Sequence, residues 1–309
     1  MFEELNEFEN FRRYRYLLID NRVVLHWASP LSLEKLTYQF GENKAFGEKK
    51  LTTVLRTDLN YDQSVCPTLI QLAEPSILTD DVIIDDISRQ AALECFWSQR
   101  YICAYLVSDQ KPSALAKQLI NIGNSIGRTL KEPYYPFFEP FRMQFLDEVG
   151  SNQSKAWLKA QFSQIYNYYY PSIHNGKFIQ FTANNEPIPE KSWDIDDNLL
   201  IKNIRIVRTL VNAWANNRLQ FEDQQSLPLS KDIIAEATQL VEQAMQLGLV
   251  DAGDILFWGI CGLRHHQAFT QNPKVLMLTE LAKKTPGTLS TQINNANIAI
   301  ESTNIRDIR

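Results

Sequence analysis

Tyr101-Ile102-Cys103-Ala104-Tyr105-Leu106-Val107 is the segment that most restricts the fold. It is β-branched, aromatic and free of breakers, which predicts a strand. A helix start follows at once in Ser108-Asp109-Gln110-Lys111-Pro112-Ser113. Pro112 suits a first helical turn, and Ser108 or Asp109 offers an oxygen to cap its free amides. Leu115, Leu119, Ile122 and Ile126 then share one helical face that has to be buried, and Gly127 and Pro133 close the helix.

The rest of the first half alternates in the same way. Tyr16-Leu17-Leu18-Ile19 reads as a strand, Asp20-Asn21 as a turn and Val23-Val24-Leu25 as a second short strand. A short helix over 32–40, a strand at Pro67-Thr68-Leu69-Ile70-Gln71-Leu72 and a helix over 80–98 follow. Tyr134 to Phe138 is a further strand candidate before a short helix over 141–149. Alternation of this kind predicts an α/β (α+β) lobe with a mixed sheet over residues 1–150.

The pattern changes after Ser151. A helix over 156–166 and an isolated strand over 177–181 lead to an Asn/Pro-rich loop at 184–189. Leu200, Ile204, Val207, Val211 and Trp214 then form an amphipathic stripe, and Ile233/Ile234, Ala237, Leu240/Val241 and Ala244/Met245 form another. With two more helices over 251–269 and 274–284, residues 151–285 read as a mainly helical lobe. The polar stretch 286–309 is either a frayed tail or a segment that orders on a partner.

Charge and chemistry narrow the function. With 31 Lys+Arg against 36 Asp+Glu, the net charge of −5 gives no nucleic-acid footprint. Met1-Phe2-Glu3-Glu4 is acidic where a secretory signal is basic, and Ile255 to Leu263 is far too short to cross a bilayer, so a soluble cytoplasmic chain without a membrane partner is expected. Cys66, Cys95, Cys103 and Cys261 form no C-x-x-C pair and read as buried reduced thiols. Phosphate-binding, zinc-protease and nucleophile-elbow motifs are absent, and 11 glycines are about half the ordinary share of ~7%. No cofactor or metal is expected.

Other polar features have plain structural readings. Gly123 and Gly127 read as close packing or a helix end. His265 and His266, adjacent on a helix, point to different faces and cannot chelate one metal. Asp80-Asp81, Asp85-Asp86 and Asp194-Ile195-Asp196-Asp197 read as caps and solvated faces. The aromatic block Tyr166, Tyr168, Tyr169 and Tyr170 is richer, because tyrosine joins apolar area to a polar tip and is enriched at interfaces.

Three segments in order carry a resemblance: Tyr16-Leu17-Leu18-Ile19-Asp20, the Tyr101–Asp109 strand with its helix, and Phe137-Phe138-Glu139-Pro140-Phe141-Arg142 to Leu146. With Pro67–Leu72 between them, the set resembles the type VI secretion effector adaptor (chaperone) family of bacteria over roughly residues 14–150. Asp20, Ser108, Asp109, Phe138, Glu139, Pro140 and Arg142 match its motif positions, as structural rather than catalytic residues. Glu139 stands where that family has Asp, Phe138 where it has Tyr, and Arg142 one residue late. The resemblance implies a cytoplasmic, non-enzymatic adaptor that binds a secreted effector and helps load it onto the valine-glycine-repeat spike protein. Tyr168, Tyr169, Trp193 and Trp214 are the aromatic candidates for effector anchors, in a groove between the lobes or on the helical lobe. Two other readings compete. One is a toxin-like hydrolase with His174 beside Asp194 or Asp196, and the other is a general interaction scaffold.

Overall fold

A computed structural model describes residues 8–40, 50–59, 61–182, 200–221, 224, 227–296 and 298. The chain divides into two compact units, 1–198 and 199–309. The first runs α1 (Phe8–Phe11), β1 (Tyr14–Ile19), α2 (Leu33–Phe40), β2 (Leu51–Thr53), β3 (Thr68–Ala73), α3 (Asp81–Leu93), β4 (Ile102–Ser108), α4 (Pro112–Leu130), α5 (Pro140–Glu148), α6 (Asn152–Gln161), β5 (Ile165–Pro171) and β6 (Phe178–Phe181).

Its strands form one six-stranded sheet in the order β2-β3-β1-β4-β5-β6. Every pairing is antiparallel. The fold class therefore holds, with one correction: the sheet is antiparallel rather than mixed. β3 and β4 do run in the same direction, but β1 lies between them, so α3 carries the chain past one strand instead of joining parallel neighbours.

The sheet is covered on both faces, which explains why β4 shows an unbroken apolar run instead of alternation. On one face Leu17, Ile19, Ile70, Leu72, Tyr105, Val107 and Tyr169 pack with Leu36 of α2 and Ile83, Ile84, Ile87 and Ala91 of α3. The opposite parity is buried as well: Tyr16, Leu18, Leu69, Ala104, Leu106 and Tyr168 are all at most 1% exposed. Leu115, Leu119, Ile122 and Ile126 of α4 are buried in the same unit.

Several sequence expectations change here. Tyr134 to Phe138 is not a strand, because Pro133 and Pro136 cannot donate to a ladder. The segment lies along α4 instead, with Tyr135 N–H donating to the Gly123 carbonyl at 3.0 Å and Glu132 N–H to that of Gly127 at 2.9 Å. A Cβ at Gly123 would collide with the Tyr134 ring, so the Gly-x-x-x-Gly spacing serves close approach. The helix also runs past Gly127 and ends at Lys131 in a left-handed conformation. Val23-Val24-Leu25 forms no strand either.

The expected boundary at residue 150 falls instead after Asn198. The shift in composition at Ser151 marks α6, but the chain then returns to pair β5 with β4, Tyr168 opposite Leu106 and Tyr169 opposite Tyr105. The strand read as isolated is β6, hydrogen-bonded to β5. Pairing across sixty residues of sequence leaves no mark in local composition.

The second unit contains α7 (Ile204–Asn217), α8 (Ile233–Gln246), α9 (Ala252–His265), α10 (Gln267–Thr270), α11 (Pro273–Ala282) and α12 (Leu289–Asn295). Its helical character is as expected. Both predicted stripes face inward: Val207, Val211, Ile233, Ala237 and Val241 are at most 1% exposed. Gly259 and Gly262 of α9 bring its backbone against Leu210 and Leu240. Buried Asp254 accepts the Gly287 amide at 2.7 Å and the Leu289 amide at 2.9 Å, which holds α12 in place. The stretch read as a frayed tail from residue 286 thus begins with an ordered helix, while 299–309 lies outside the described residues.

Candidate functional site

The resemblance segments meet where β1 ends. Asp20 is fully buried, its N–H donating to the Tyr101 carbonyl at 2.9 Å. Its carboxylate accepts from Arg22, Nε at 3.0 and 3.1 Å and Nη2 at 2.5 Å. Burial opposes the Arg22 charge, but the hydrogen-bonded Asp20 carboxylate outweighs it and holds the guanidinium above its ordinary value. Glu139 lies within electrostatic reach of Arg22. Cys103 sits among them, and burial, reinforced by Asp20 and Glu139, pushes its thiol well above the ordinary range, which makes it a poor nucleophile.

The other motif residues are structural. Glu139 caps α5, accepting from Phe141 N–H at 3.3 Å and Arg142 N–H at 3.2 Å, and Pro140 takes the first helical turn. Phe138 is buried edge-on against Phe137 at 5.8 Å, and Arg142 lies over the Tyr135 ring at 4.8 Å. Neither Ser108 nor Asp109 caps α4, as had been expected. The residue before that helix is Lys111, which makes no side-chain cap. Ser108 Oγ instead donates to the Gln164 carbonyl and accepts the Gln110 amide, both at 3.1 Å, and Asp109 pairs with Arg13 at 3.3 Å.

Directly after the Asp20–Arg22 turn the chain builds an apolar cavity of about 300 Å³. Val23, Val24, Leu25 and Trp27 come from the connection to α2, Ser32, Leu33 and Glu34 from its start, and Asn21 and Tyr101 complete the lining. Val24 is 88% exposed and Trp27 71%. The lining is held from behind. Asn21 Nδ2 donates to the Cys66 carbonyl at 2.8 Å and to Thr68 Oγ1 at 2.9 Å, and Tyr101 OH donates to the Leu31 carbonyl at 2.7 Å. A larger open groove of about 620 Å³ beside α4 is lined by Thr57, Asn121, Asn124, Ser125, Arg128 and Pro133.

Three of the four aromatic anchors expected from sequence are not surface groups. Tyr168 is 1% exposed, Tyr169 4% and Trp214 6%. Both tyrosines are held in β5 between covered sheet faces, Tyr168 against Phe162 at 4.9 Å and Tyr169 against Tyr105 at 6.3 Å, and Trp214 stacks on Phe221 at 6.5 Å. Trp193, Asp194 and Asp196 lie outside the described residues, so no pairing with half-buried His174 is placed. The cysteines are free, Cys66, Cys95 and Cys103 buried and Cys261 half-buried. Among the described residues no group of three or more His, Cys, Asp and Glu side chains is arranged to hold a metal ion, and no helix is long and apolar enough to cross a membrane.

Sequence reasoning missed Val24 and Trp27 because an apolar run beside a turn reads as a strand, and local spacing holds no signal against that reading. Comparison with protein-family models, curated proteins and solved structures finds nothing that matches this chain.

Proposed function

We propose that this chain is a non-enzymatic adaptor that captures another polypeptide at the cavity after β1. The exposure of Val24 and Trp27 on a braced connection carries the reading. Contiguous apolar surface on an ordered wall is costly in water and is a mark of binding sites. Its place adds support, since the cavity is continuous with the Asp20–Arg22 turn where the resemblance segments converge. By that resemblance, the captured polypeptide is a secreted effector in the cytoplasm, and the complex is passed to the secretion spike protein.

The test is affinity capture of the full chain co-expressed with the effector and spike polypeptides encoded beside it. A complex is expected to survive moderate salt. Trp27→Ala combined with Val24→Ser should weaken it by roughly tenfold or more, as truncating central aromatic anchors does, with an unchanged circular dichroism spectrum. No complex with either polypeptide at any salt concentration, or capture undiminished in the double variant, overturns the proposal.

A further inference from the structure

Resting on that reading, we infer that the cavity after β1 takes an arginine side chain of the captured polypeptide, its stem against Val24 and Leu33, its guanidinium between the Trp27 ring and the Glu34 carboxylate. Four observations lead there. The walls are mainly apolar, so the occupant brings an apolar stem. Glu34 is the one charged group among the described lining residues, and no ion-pair or hydrogen-bond partner for it is found among the described residues. The nearby cations are engaged elsewhere, Arg22 on Asp20 and Lys35 Nζ on the Ala28 carbonyl at 2.9 Å. Finally, two lining donors are engaged within the fold: Asn21 Nδ2 serves Ser64 O, Cys66 O and Thr68 Oγ1, and Tyr101 OH serves Leu31 O.

The two carbonyl partners of Asn21 Nδ2 can only accept, which fixes the amide orientation and leaves Oδ1 as an acceptor, buried without a partner among the described residues. The one charged group of the lining is the exposed Glu34 carboxylate, which only accepts. A group that brings hydrogen-bond donors and positive charge complements it. An aliphatic stem ending in a flat cation that stacks on an indole and donates to a carboxylate meets all these conditions, and arginine does so better than lysine because its guanidinium is planar and weakly hydrated.

The probe is a set of fluorescein-labelled eleven-residue peptides, identical except for a central Arg, citrulline, Lys, Leu or Glu, titrated with the full chain and read by anisotropy. Citrulline keeps the shape of arginine and removes its charge. The arginine peptide should bind best, with citrulline about tenfold weaker, the scale of one charge-assisted contact. Glu34→Gln should cost the arginine peptide about the same factor and leave the leucine peptide unchanged. Glu34→Arg should reverse the preference toward the glutamate peptide. Glu34 is exposed in the first turn of α2, so these variants leave the core intact.

Equal binding of arginine and citrulline, no effect of Glu34→Gln, lysine equal to arginine, or no peptide bound at all would each overturn the assignment. Such a result with effector capture still lost in the Trp27/Val24 variant leaves the adaptor reading standing. Arginine-selective binding without any captured effector overturns that reading and keeps the site.

Discussion

At the residue scale, consecutive rings in β5 meet opposite faces of the sheet, Tyr169 beside Tyr105 and Tyr168 beside Phe162. Burial pushes the Tyr168 hydroxyl well above its ordinary range, and that oxygen has no hydrogen-bond partner among the described residues. Removing a buried unsatisfied hydroxyl relieves a desolvation cost, so Tyr168→Phe should be neutral or stabilise the first unit by up to ~1 kcal/mol. Tyr169→Ala removes a whole ring from the core and should destabilise by about 3–5 kcal/mol. Urea unfolding followed by far-ultraviolet circular dichroism separates the two. A Tyr169→Ala protein as stable as the parent but unable to bind would return that ring to the role of anchor. β5 was not legible in the sequence, where the helix is expected to run to 166 and the next strand to start at 177. That helices cover both faces was not either, because covering layers come from distant segments.

At the scale of elements, a buried pair of charges fastens three ends together. Glu94, fully buried just past α3, accepts the Tyr101 and Ile102 amides at 2.7 and 3.0 Å and Gln90 Nε2 at 2.7 Å. Arg100 reaches the carbonyls of Cys95, Pro171 and Ser172, so α3, β4 and β5 share one knot. Burial pushes the Glu94 carboxyl above its ordinary 4.5, with the hydrogen bonds only partly offsetting it. Across the window between 4.5 and the raised value, the folded state holds more proton than the unfolded state. Stability from this group is thus complete below 4.5 and is lost as pH rises through the folded value. Glu94→Gln keeps an acceptor and removes the titration, so the parent should lose stability relative to the variant as pH climbs through this window. Parallel stability curves from pH 4 to 8 would sink the assignment. Two of the three elements of this knot were readable from local spacing: α3 by its helical periodicity and β4 by its unbroken apolar run. The knot was not, since Glu94 and Arg100 look like ordinary polar residues beside Trp97, and Arg100 meets the Pro171 and Ser172 carbonyls only when the chain returns as β5.

At the scale of the whole molecule, each unit exposes apolar side chains, and the question is which of them a partner uses. In the second unit Met277 and Leu281 lie one turn apart on α11, 59% and 46% exposed, with Val250 at 78%. In the first, Val24 and Trp27 line a concavity, backed by hydrogen bonds from Asn21 and Tyr101 and bearing one carboxylate. Affinity concentrates where a side chain can be enclosed and desolvated, not where apolar groups stand on a convex helix. Hydrogen exchange of the full chain, alone and with a captured effector, tests the choice. Among the described residues no hydrogen bond is found for the amides from Val24 to Trp27, which should exchange fast in the free chain. Their slowing on capture, with α11 unchanged, is the expected footprint. Protection confined to α11 would move the receptor surface to the helical unit, and with it the explanation for why Val24 and Trp27 stand in water.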